Sequence, residues 1–533
     1  MKQTLGSYLI ATLEAQGVRH VFGIPGVHNL ELYRGLARSG IRHVTGRHEQ
    51  GLGFMADGYA RVSGRPGVCF TITGPGLGNI VTALGQAHAD SVPLLVISSA
   101  NRLAEIGAGR GFLHDMPDQL GVAARVTGSS ARVSRPEELP EAVAHAFAAM
   151  TEGRPRPAYL EIPRDVLGAD VAGLPAPAPA TRAPRPQAPP SAIAEAAGQL
   201  RAARAPLILA GGGALGAVAE VRRLAELLDA PVVMTVNARG LLPPDHPLGV
   251  SMSPSLGAVR KLIADSDVVL AVGTELGPTD YDMYATEEFR QPRNLLRIDI
   301  DAAQLERNAR ATLAMQADAA PALRAILAQD LGPARAPAQA KRVAEACDGA
   351  RTELTAAMRR ELQFLEVIRS ALPEALLVGD STQPVYAGNL GFAAATAGSW
   401  FNSATGFGTL GYALPASTGA GLAAPDRPVV CLVGDGGLQF LLGELAVPRD
   451  VDAWLAIVIW NNSGYGEIKT SMLAVDIDPV GVDVRPPDYS HIARAYGYAH
   501  RPIDSLESLE RALRDFSTRR QVVVLEVRAE KFE

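Results

Sequence analysis

Two short polar turns, each placed directly after a continuously apolar run, constrain the fold of this 533-residue chain most. The first turn, Gly-Asp-Gly-Gly at residues 434–437, follows the apolar residues 428–433. The second turn, Asn-Asn-Ser-Gly-Tyr at residues 461–465, follows the apolar residues 453–460. Short apolar runs with room for a helix between them are typical of parallel strands that are buried on both faces. The pair therefore predicts a βαβ unit.

In such a unit both turns lie at the carboxyl ends of parallel strands, where open α/β sheets bind their ligands. Asp435 supplies a carboxylate there, and Asn462 supplies a carboxamide. Mg²⁺ binds through a few protein oxygens together with phosphate oxygens, and glycine-rich turns let backbone N–H groups approach a phosphate. The two turns therefore predict a site for a divalent cation that holds a diphosphate.

The two turns resemble the Gly-Asp-Gly and Asn-Asn signature of thiamine-diphosphate-dependent enzymes. A second set of motifs near the N-terminus is similar to the pyrimidine-binding domain of the same enzymes. These motifs are VFGIPG at 21–26, RHEQG at 47–51, MADGYAR at 55–61 and TGPGLGN at 73–79. The resemblance follows the whole chain in order and is strongest for the acetolactate synthase and 2-oxo acid decarboxylase branch. The chain is therefore identified as a member of that family.

Alternating β and α patterns predict an α/β protein with three doubly wound parallel-sheet domains. By resemblance, residues 1–170 are the pyrimidine-binding domain, residues 191–335 the central domain, and residues 355–533 the diphosphate- and Mg-binding domain. Residues 171–190 are rich in proline, which interrupts helices and sheets, and are predicted to form an extended linker.

The central domain raises the question of a nucleotide, because acetolactate synthase relatives carry FAD there. Its glycine turn at residues 211–213 lacks the full Gly-x-Gly-x-x-Gly fingerprint of a dinucleotide site. The segment 273–282 also departs from the arginine- and aspartate-rich stretch expected for FAD. We therefore expect a structural central domain without FAD.

Composition and charge exclude several other kinds of protein. The net charge is −6 without a run of like charges, which argues against a nucleic-acid or anionic membrane partner. The three cysteines are far apart, as expected for buried thiols in a reducing compartment. The N-terminus lacks the apolar region of a signal peptide, and no apolar stretch reaches the length of a membrane span. These features predict a cytoplasmic enzyme.

The resemblance also implies roles for individual residues. Glu49 matches the activating glutamate, which holds a proton at N1′ of the cofactor so that a carbanion can form at C2. The metal ligands would be Asp435, Asn462 and the backbone carbonyl of Gly464. Leu410 would be the apolar wedge beneath the bent cofactor. The other implied cofactor-binding residues are Pro25, Gly26, Thr73, Asn79, Thr382, Gln383, Gly408, Gly434, Gly436, Gly437, Leu438 and Tyr465.

Glu49 and Asp435 belong to different predicted domains. In the family, the first domain of one subunit faces the third domain of another subunit, so each active site is shared. The resemblance therefore implies a homodimer as the smallest active unit, and the habit of the family favours a homotetramer.

The reaction depends on residues outside the signature. His28, His114 and Asp115 are candidates for proton transfer, and Glu467 is expected on the substrate side of the cofactor. Asp115 and Glu467 together could bind a guanidinium or ammonium group at the far end of a substrate. The segments that contain these residues resemble 2-ketoarginine (5-guanidino-2-oxopentanoate) decarboxylases. The leading hypothesis is Mg²⁺-dependent, non-oxidative decarboxylation of a 2-oxo acid through a carbanion and enamine at C2.

Two alternatives remain open. The first is a carboligase of the acetolactate synthase type, in which the enamine attacks a second carbonyl compound. The second is a regulatory subunit that binds the cofactor without catalysis. The presence of Glu49, Asp435 and Asn462 disfavours the regulatory subunit.

Overall fold

The computed structural model of the protein describes residues 3–181, 183–283, 286 and 289–532. These residues form three sheets of six strands each, and every strand pair within the sheets is parallel. Helices alternate with the strands along the chain, and each sheet begins with an interior strand from which later strands extend in both directions. The predicted α/β architecture of three doubly wound parallel sheets is therefore confirmed.

The first sheet has the strand order β2-β1-β3-β4-β6-β5. Its strands are β1 His20–Gly23, β2 Arg42–Thr45, β3 Gly67–Thr71, β4 Leu94–Ala100, β5 Ser129–Arg132 and β6 Ala158–Pro163. Its helices are α1 Leu5–Ala15, α2 Leu30–Arg34, α3 Glu49–Ser63, α4 Pro75–Ala89, α5 Gln119–Ala124, α6 Leu139–Thr151 and α7 Arg164–Leu167. Short 3₁₀ helices lie at Leu36–Arg38 and Pro136–Glu138.

The second sheet has the order β12-β11-β10-β7-β8-β9. Its strands are β7 Pro206–Ala210, β8 Val232–Met234, β9 Gly249–Val250, β10 Val268–Val272, β11 Leu295–Asp299 and β12 Leu313–Gln316. Its helices are α8 Pro190–Ala202, α9 Val218–Leu228, α10 Gly257–Ala264, α11 Pro278–Tyr281, α12 Ala302–Leu305 and α13 Ala319–Leu327. Short 3₁₀ helices lie at Gly212–Ala217 and Val236–Ala238.

The third sheet has the order β14-β13-β15-β16-β18-β17 and is preceded by α14, Ala340–Glu353. Its strands are β13 Leu376–Gly379, β14 Trp400–Asn402, β15 Val429–Gly434, β16 Leu455–Asn461, β17 Ala499–Ile503 and β18 Val522–Arg528. Its helices are α15 Ala356–Ala371, α16 Gln383–Gly391, α17 Ala413–Ala423, α18 Asp435–Phe440, α19 Val447–Asp450, α20 Gly466–Ala474, α21 Tyr489–Ala495 and α22 Leu506–Ser517. Short 3₁₀ helices lie at Leu442–Ala446 and Ala529–Lys531.

The pairing within the third sheet determines where its polar turns meet. β15 pairs with β16 from Val429 opposite Leu455 to Gly434 opposite Trp460, so the two strands end side by side. β13 pairs with the other edge of β15, and the chain reverses its direction of strand addition at β13. Such a reversal opens a crevice at the carboxyl ends of the strands, where doubly wound sheets bind ligands. The loops after β13, β15 and β16 therefore converge.

The first and third domains are joined by packing of α3 against α17 and by a buried network of charged and polar groups. Arg61 forms ion pairs with Asp57 (2.7 Å) and Asp90 (2.6 Å). The Tyr412 hydroxyl donates to Asp57 (2.5 Å), and the Thr405 hydroxyl donates to Asp90 (2.9 Å). Because each acidic group has partners from both domains, the network specifies one relative placement of the two sheets.

The described residues between Val171 and α8 form neither a helix nor a strand, and this segment runs along the first domain. The Tyr8 hydroxyl donates to the carbonyl of Pro175 (2.8 Å), and the Gln16 amide donates to the carbonyl of Ala178 (3.1 Å). Within the part of the chain that the structure describes, no helix combines the length and the apolar character needed to cross a membrane.

Candidate active site

A cavity of about 390 Å³ lies at the carboxyl ends of β13, β15 and β16. Its walls come from residues within the segments 381–383, 404–410, 434–437 and 462–468, with Tyr386 of α16 completing the third-domain part. One residue of the central domain, Thr279 in α11, also lines it. Among the described residues, none from the first domain contributes to the wall. The cavity is thus the crevice that the sheet topology predicts.

Three oxygen atoms converge on one side of this cavity. The side-chain Oδ1 of Asn462 lies 3.1 Å from Asp435 Oδ1 and 2.7 Å from the carbonyl oxygen of Gly464. The contact between Trp460 and Gln383 sets the orientation of the Asn462 amide, so that its acceptor oxygen faces two other acceptor oxygens. The indole N–H of Trp460 can only donate, and it donates to Gln383 Oε1 (3.1 Å). That oxygen in turn accepts from the Asn462 side-chain nitrogen (3.1 Å), which leaves Oδ1 facing the other two oxygens.

Oxygens brought together without hydrogens between them form an arrangement that a bound cation stabilises. Mg²⁺ has ligand distances of about 2.1 Å, so neighbouring oxygens in an octahedral shell are about 3 Å apart. The two separations in this cluster, 3.1 Å and 2.7 Å, fit that spacing. Asp435 is buried, and its second oxygen, Oδ2, has no hydrogen-bond partner among the described residues. Burial raises the pKa of Asp435 to about 6. Asp435, Asn462 and Gly464 therefore fit a hard divalent cation.

The glycine turn after β15 lies directly against the cluster. Helix α18 begins at Asp435, and α16 begins at Gln383, so two helix N-termini start at residues that line the cavity. A Cβ atom on Gly436 would lie 2.6 Å from the Tyr465 ring, so a larger residue there would displace Tyr465. Thr382, Gly434 and Gly437 also line the cavity, whereas Leu438 is buried outside it. Helix N-termini and exposed backbone N–H groups suit a diphosphate.

Leu410 and Gly408 form another part of the cavity wall, within the segment 404–410. The Leu410 side chain is half-buried, so part of its apolar surface faces the cavity. Gly408 has φ = +74° and donates its N–H to the carbonyl of Ser403 (3.1 Å). Both residues are placed where the predicted wedge and carbonyl acceptor could contact a cofactor.

Asp380 connects two backbone segments next to the cavity through hydrogen bonds. It is fully buried, and its carboxylate accepts the backbone N–H groups of Ser381 (2.8 Å) and Ala413 (3.3 Å). Burial raises the pKa of Asp380 to about 6, although these N–H groups favour the charged form. Because the folded-state pKa exceeds the unfolded value of about 3.9, the stabilisation linked to protonation is complete at low pH and is lost as the pH rises through about 6.

We expect Asp380→Asn to gain stability relative to the wild type by about 2 kcal/mol between about pH 4 and about pH 8, because asparagine does not titrate. The measurement is the Tm of both apo-proteins across this range. The loss of one acceptor oxygen is the same at every pH, so the change with pH isolates the titration of Asp380. A difference in Tm that stays constant across the range would contradict the raised pKa.

Glu49 is the first residue of α3, and its side chain is half-buried. Its Oε2 accepts the side-chain N–H of Asn79 (2.9 Å), so the structure brings two of the predicted pyrimidine-side residues together. Glu49 does not line the cavity of its own chain. Its helix start instead contacts the third domain through Glu444, whose carboxylate accepts the N–H groups of Arg47 and His48.

Two histidines meet at the carboxyl end of the first sheet. The rings of His28 and His114 pack edge to face with centroids 4.9 Å apart, and His28 Nδ1 lies 3.2 Å from the Thr73 hydroxyl. Burial, assisted by the positive charge of Arg164, lowers the pKa of His28. His114 has φ = +61°, a backbone conformation that non-glycine residues rarely adopt. His28 and His114 are therefore held as a pair.

Three further predicted residues, Pro25, Gly26 and Asp115, lie close to this pair in the chain. Gly26 donates its N–H to Asn29 Oδ1 (2.8 Å), whereas Pro25 is exposed. Asp115 is half-buried, and no hydrogen bond to its carboxylate is found among the described residues. Within one chain, Asp115 does not line the cavity that contains Glu467.

Several residues of these sites escaped the sequence analysis. Gln119 is buried next to the histidine pair, where it accepts the Gly74 N–H (2.6 Å) and donates to the Tyr159 hydroxyl (2.9 Å). The only feature of the sequence that could have indicated Gln119 is its position five residues after His114. Thr279 and Tyr386 line the cavity without belonging to a recognisable motif.

The glycine turn of the central domain has a packing role. Gly211 donates its N–H to the carbonyl of Val272 (3.0 Å), and Gly213 donates to the carbonyl of Gly273 (3.0 Å). A Cβ atom on Gly211 would lie 2.3 Å from the Gly273 oxygen. The turns after β7 and β10 are therefore in direct backbone contact with each other.

Three family profiles match the chain. The profile "Thiamine pyrophosphate enzyme, N-terminal TPP binding domain" matches residues 3–122. The profile "Thiamine pyrophosphate enzyme, central domain" matches residues 193–326. The profile "Thiamine pyrophosphate enzyme, C-terminal TPP binding domain" matches residues 380–527. The last of these contains every third-domain residue of the cavity wall.

Curated relatives cover nearly the whole chain. The probable 2-ketoarginine decarboxylase AruI of Pseudomonas aeruginosa is 47% identical over 529 residues, which are 98% of this chain and 94% of the relative. The large subunit of acetolactate synthase isozyme 1 of Escherichia coli is 32% identical, over 87% of this chain and 82% of the relative. The probable acetolactate synthase large subunit of Methanocaldococcus jannaschii is 30% identical, over 95% of this chain and 88% of the relative.

Proposed function

Because the chain belongs to the thiamine-diphosphate-dependent enzymes of the acetolactate synthase and 2-oxo acid decarboxylase family, we propose that it decarboxylates a 2-oxo acid with a cationic tail. The observation that carries this proposal is the presence of the oxygen cluster and Glu467 in one cavity. Among the described lining residues, Asp435 and Glu467 are acidic and none is basic. A divalent cation would neutralise Asp435 and leave the Glu467 carboxylate for the substrate.

A second carboxyl group interacts with Glu467, although it does not itself line the cavity. Glu361 in α15 is 8% exposed, and no hydrogen bond to its carboxylate is found within the described part of the chain. Burial, together with the negative charge of Glu467, raises the pKa of Glu361 to about 7. A guanidinium group offers donors in a planar fork and compensates negative charge of this kind. The relative from Pseudomonas aeruginosa, named as a probable 2-ketoarginine decarboxylase, favours 5-guanidino-2-oxopentanoate as the substrate.

Cofactor and metal would be held by the residues of the cavity. Asp435, Asn462 and the Gly464 carbonyl would bind Mg²⁺, and the N-termini of α16 and α18 would bind the diphosphate. Bound thiamine diphosphate supplies a nucleophilic carbon and an electron sink for the loss of CO₂. Leu410 would support the bent cofactor, and Glu49 would hold a proton at N1′. His28, His114 and Asp115 would exchange protons with the reacting substrate.

The smallest active unit would be a homodimer, and a homotetramer follows the habit of the family. Glu49 lies outside the cavity of its own chain, which supports a site completed by a second subunit. Apolar side chains are exposed on both parts of the divided site, including Val27 (71%) and Leu113 (63%) in the first domain and Phe407 (53%) in the third. A second chain would cover such surfaces.

The test is CO₂ release from 5-guanidino-2-oxopentanoate and from 2-oxohexanoate, with wild-type protein and with Glu467→Gln. We expect Glu467→Gln to lower kcat/KM for the guanidino acid roughly tenfold to a hundredfold, because a charge-assisted hydrogen bond contributes about 1.5–3 kcal/mol. The value for 2-oxohexanoate, which has a neutral tail, should change little. No CO₂ from any 2-oxo acid would contradict the proposal, and acetolactate from pyruvate alone would favour the carboligase.

A further inference from the structure

Glu444 is a buried carboxyl group of the third domain that the reaction described above does not use. It lies in the 3₁₀ helix Leu442–Ala446, directly after α18, and it is 1% exposed. Its Oε1 accepts the backbone N–H of Arg47 (2.9 Å) and the backbone N–H of His48 (2.8 Å). Its Oε2 is buried without a hydrogen-bond partner among the described residues. Burial of a carboxyl group is unfavourable unless hydrogen bonds compensate it, so the contacts of Glu444 determine its role.

The two N–H groups belong to the turn that leads into α3. His48 is the N-cap of this helix, and Glu49 is its first residue. Both N–H groups precede the first helical residue, so a buried acceptor for the two of them fixes the direction of the chain as it enters the helix. Glu444 acts there as an anion supplied by another domain.

Helix α3 has a glycine, Gly51, at the point where the Glu444 carboxylate approaches it. A Cβ atom on Gly51 would lie 2.4 Å from Glu444 Oε1 and 2.6 Å from Glu444 Cδ. Gly51 lies in the first turns of α3, where alanine would give a more stable isolated helix by roughly 1 kcal/mol. The absence of a side chain at position 51 thus gives up helix stability and leaves space for Glu444.

A second tether joins the same segments on the surface. The Arg47 guanidinium forms an ion pair with Asp450 of α19 (2.7 Å) and donates to the carbonyl of Thr45 (2.7 Å). Both partners of the ion pair are exposed, so it contributes little to the free energy of the fold. The buried Glu444 contact therefore carries most of the positioning.

We propose that Glu444 is a positioning residue that orients Glu49 through the backbone of Arg47 and His48. The inference deepens the proposed function, because it takes Glu49 as the group that holds the proton at N1′. It adds that the third domain of each chain organises the glutamate that the same chain presents. Asp435, in the preceding helix of that domain, faces the cavity, so one short segment contacts both halves of the divided site.

The first test needs no cofactor. Amide hydrogen exchange of the apo-protein, read by mass spectrometry on peptides covering residues 44–52, reports the Arg47 and His48 N–H groups. We expect protection there to fall in Glu444→Ala and to remain in Glu444→Gln, which keeps a carbonyl acceptor. Asp450→Ala is the matched control, because it removes only the exposed contact, and its protection should equal that of the wild type. Unchanged protection in Glu444→Ala would overturn the inference.

The second test uses thiamine diphosphate and Mg²⁺ without any substrate. The C2 proton of the bound cofactor exchanges with D₂O at a rate that reports activation alone, measured by acid quench and NMR. We expect Glu444→Ala to exchange roughly tenfold to a hundredfold more slowly, as a misplaced acid group would cause, while cofactor affinity stays within about threefold. Glu444→Gln should retain most of the wild-type rate.

Gly51→Ala examines the same contact from the other side. It strengthens the helix but places a methyl group against Glu444, so slower exchange in a stably folded Gly51→Ala protein is expected. An exchange rate equal to that of the wild type in both Glu444→Ala and Gly51→Ala would overturn the inference. An equal loss of rate and cofactor affinity in both would do so too. If the wild-type protein itself fails to accelerate exchange, the proposed function fails instead, and the amide-exchange result still decides the role of Glu444.

Discussion

Replacing Glu49 by Gln is expected to lower kcat by roughly a hundredfold to ten-thousandfold, the range associated with loss of a positioned general acid or base. Glutamine keeps the shape of the side chain and can still accept the N–H of Asn79, which now donates to Glu49 (2.9 Å). It cannot carry the proton that the proposed reaction requires at N1′. Because the oxygen cluster lies in the third domain, the affinities for Mg²⁺ and thiamine diphosphate should stay within about threefold.

Steady-state decarboxylation and equilibrium titration of the cofactor separate these two effects. Glu137→Gln is a matched control, since it removes an exposed carboxylate from the same domain without touching the site. A Glu49→Gln enzyme with wild-type kcat would remove Glu49 from the mechanism. A variant that lost cofactor affinity and kcat together would make Glu49 a binding residue and leave the proton transfer to another group.

The sequence predicts the parts of the site that depend on strand ends. The runs before Asp435 and Asn462 are long enough for buried parallel strands, and a parallel pair must bring its carboxyl ends together. The register of β15 and β16 does so, and Asp435 and Asn462 face one cavity. Local patterns were sufficient because the two turns are separated by one short crossover, which consists of α18, the 3₁₀ helix Leu442–Ala446 and α19.

Contacts between distant segments could not be predicted in the same way. The orientation of the Asn462 amide depends on Gln383 and Trp460, which come from two other positions in the third domain. Glu444 reaches the N-terminus of α3 from nearly 400 residues away in the chain. Neither contact leaves a periodic or spaced pattern, because each is fixed by tertiary packing. A glycine such as Gly51 shows that something approaches closely, without showing what.

The proposed division of the site between two subunits predicts a specific pattern of complementation. Asp435→Ala removes a carboxylate from the oxygen cluster, so this variant and Glu49→Gln should each be nearly inactive as homodimers. A heterodimer that carries Glu49→Gln on one chain and Asp435→Ala on the other would contain one site with both substitutions and one intact site. Its activity should be about half that of the wild type, because a two-fold dimer has two equivalent sites.

The arrangement with both substitutions on one chain gives the opposite result. Paired with a wild-type chain, the Glu49→Gln/Asp435→Ala double variant places one substitution in each shared site, so this heterodimer should be inactive. Co-expression with two affinity tags isolates both heterodimers, and CO₂ release measures them. If Glu49 served the cavity of its own chain, the two outcomes would be exchanged. The heterodimer of single variants would then be inactive, and the heterodimer with the double variant would have about half of the wild-type activity. Because Glu49 lies outside the cavity of its own chain, we expect activity from the heterodimer of single variants.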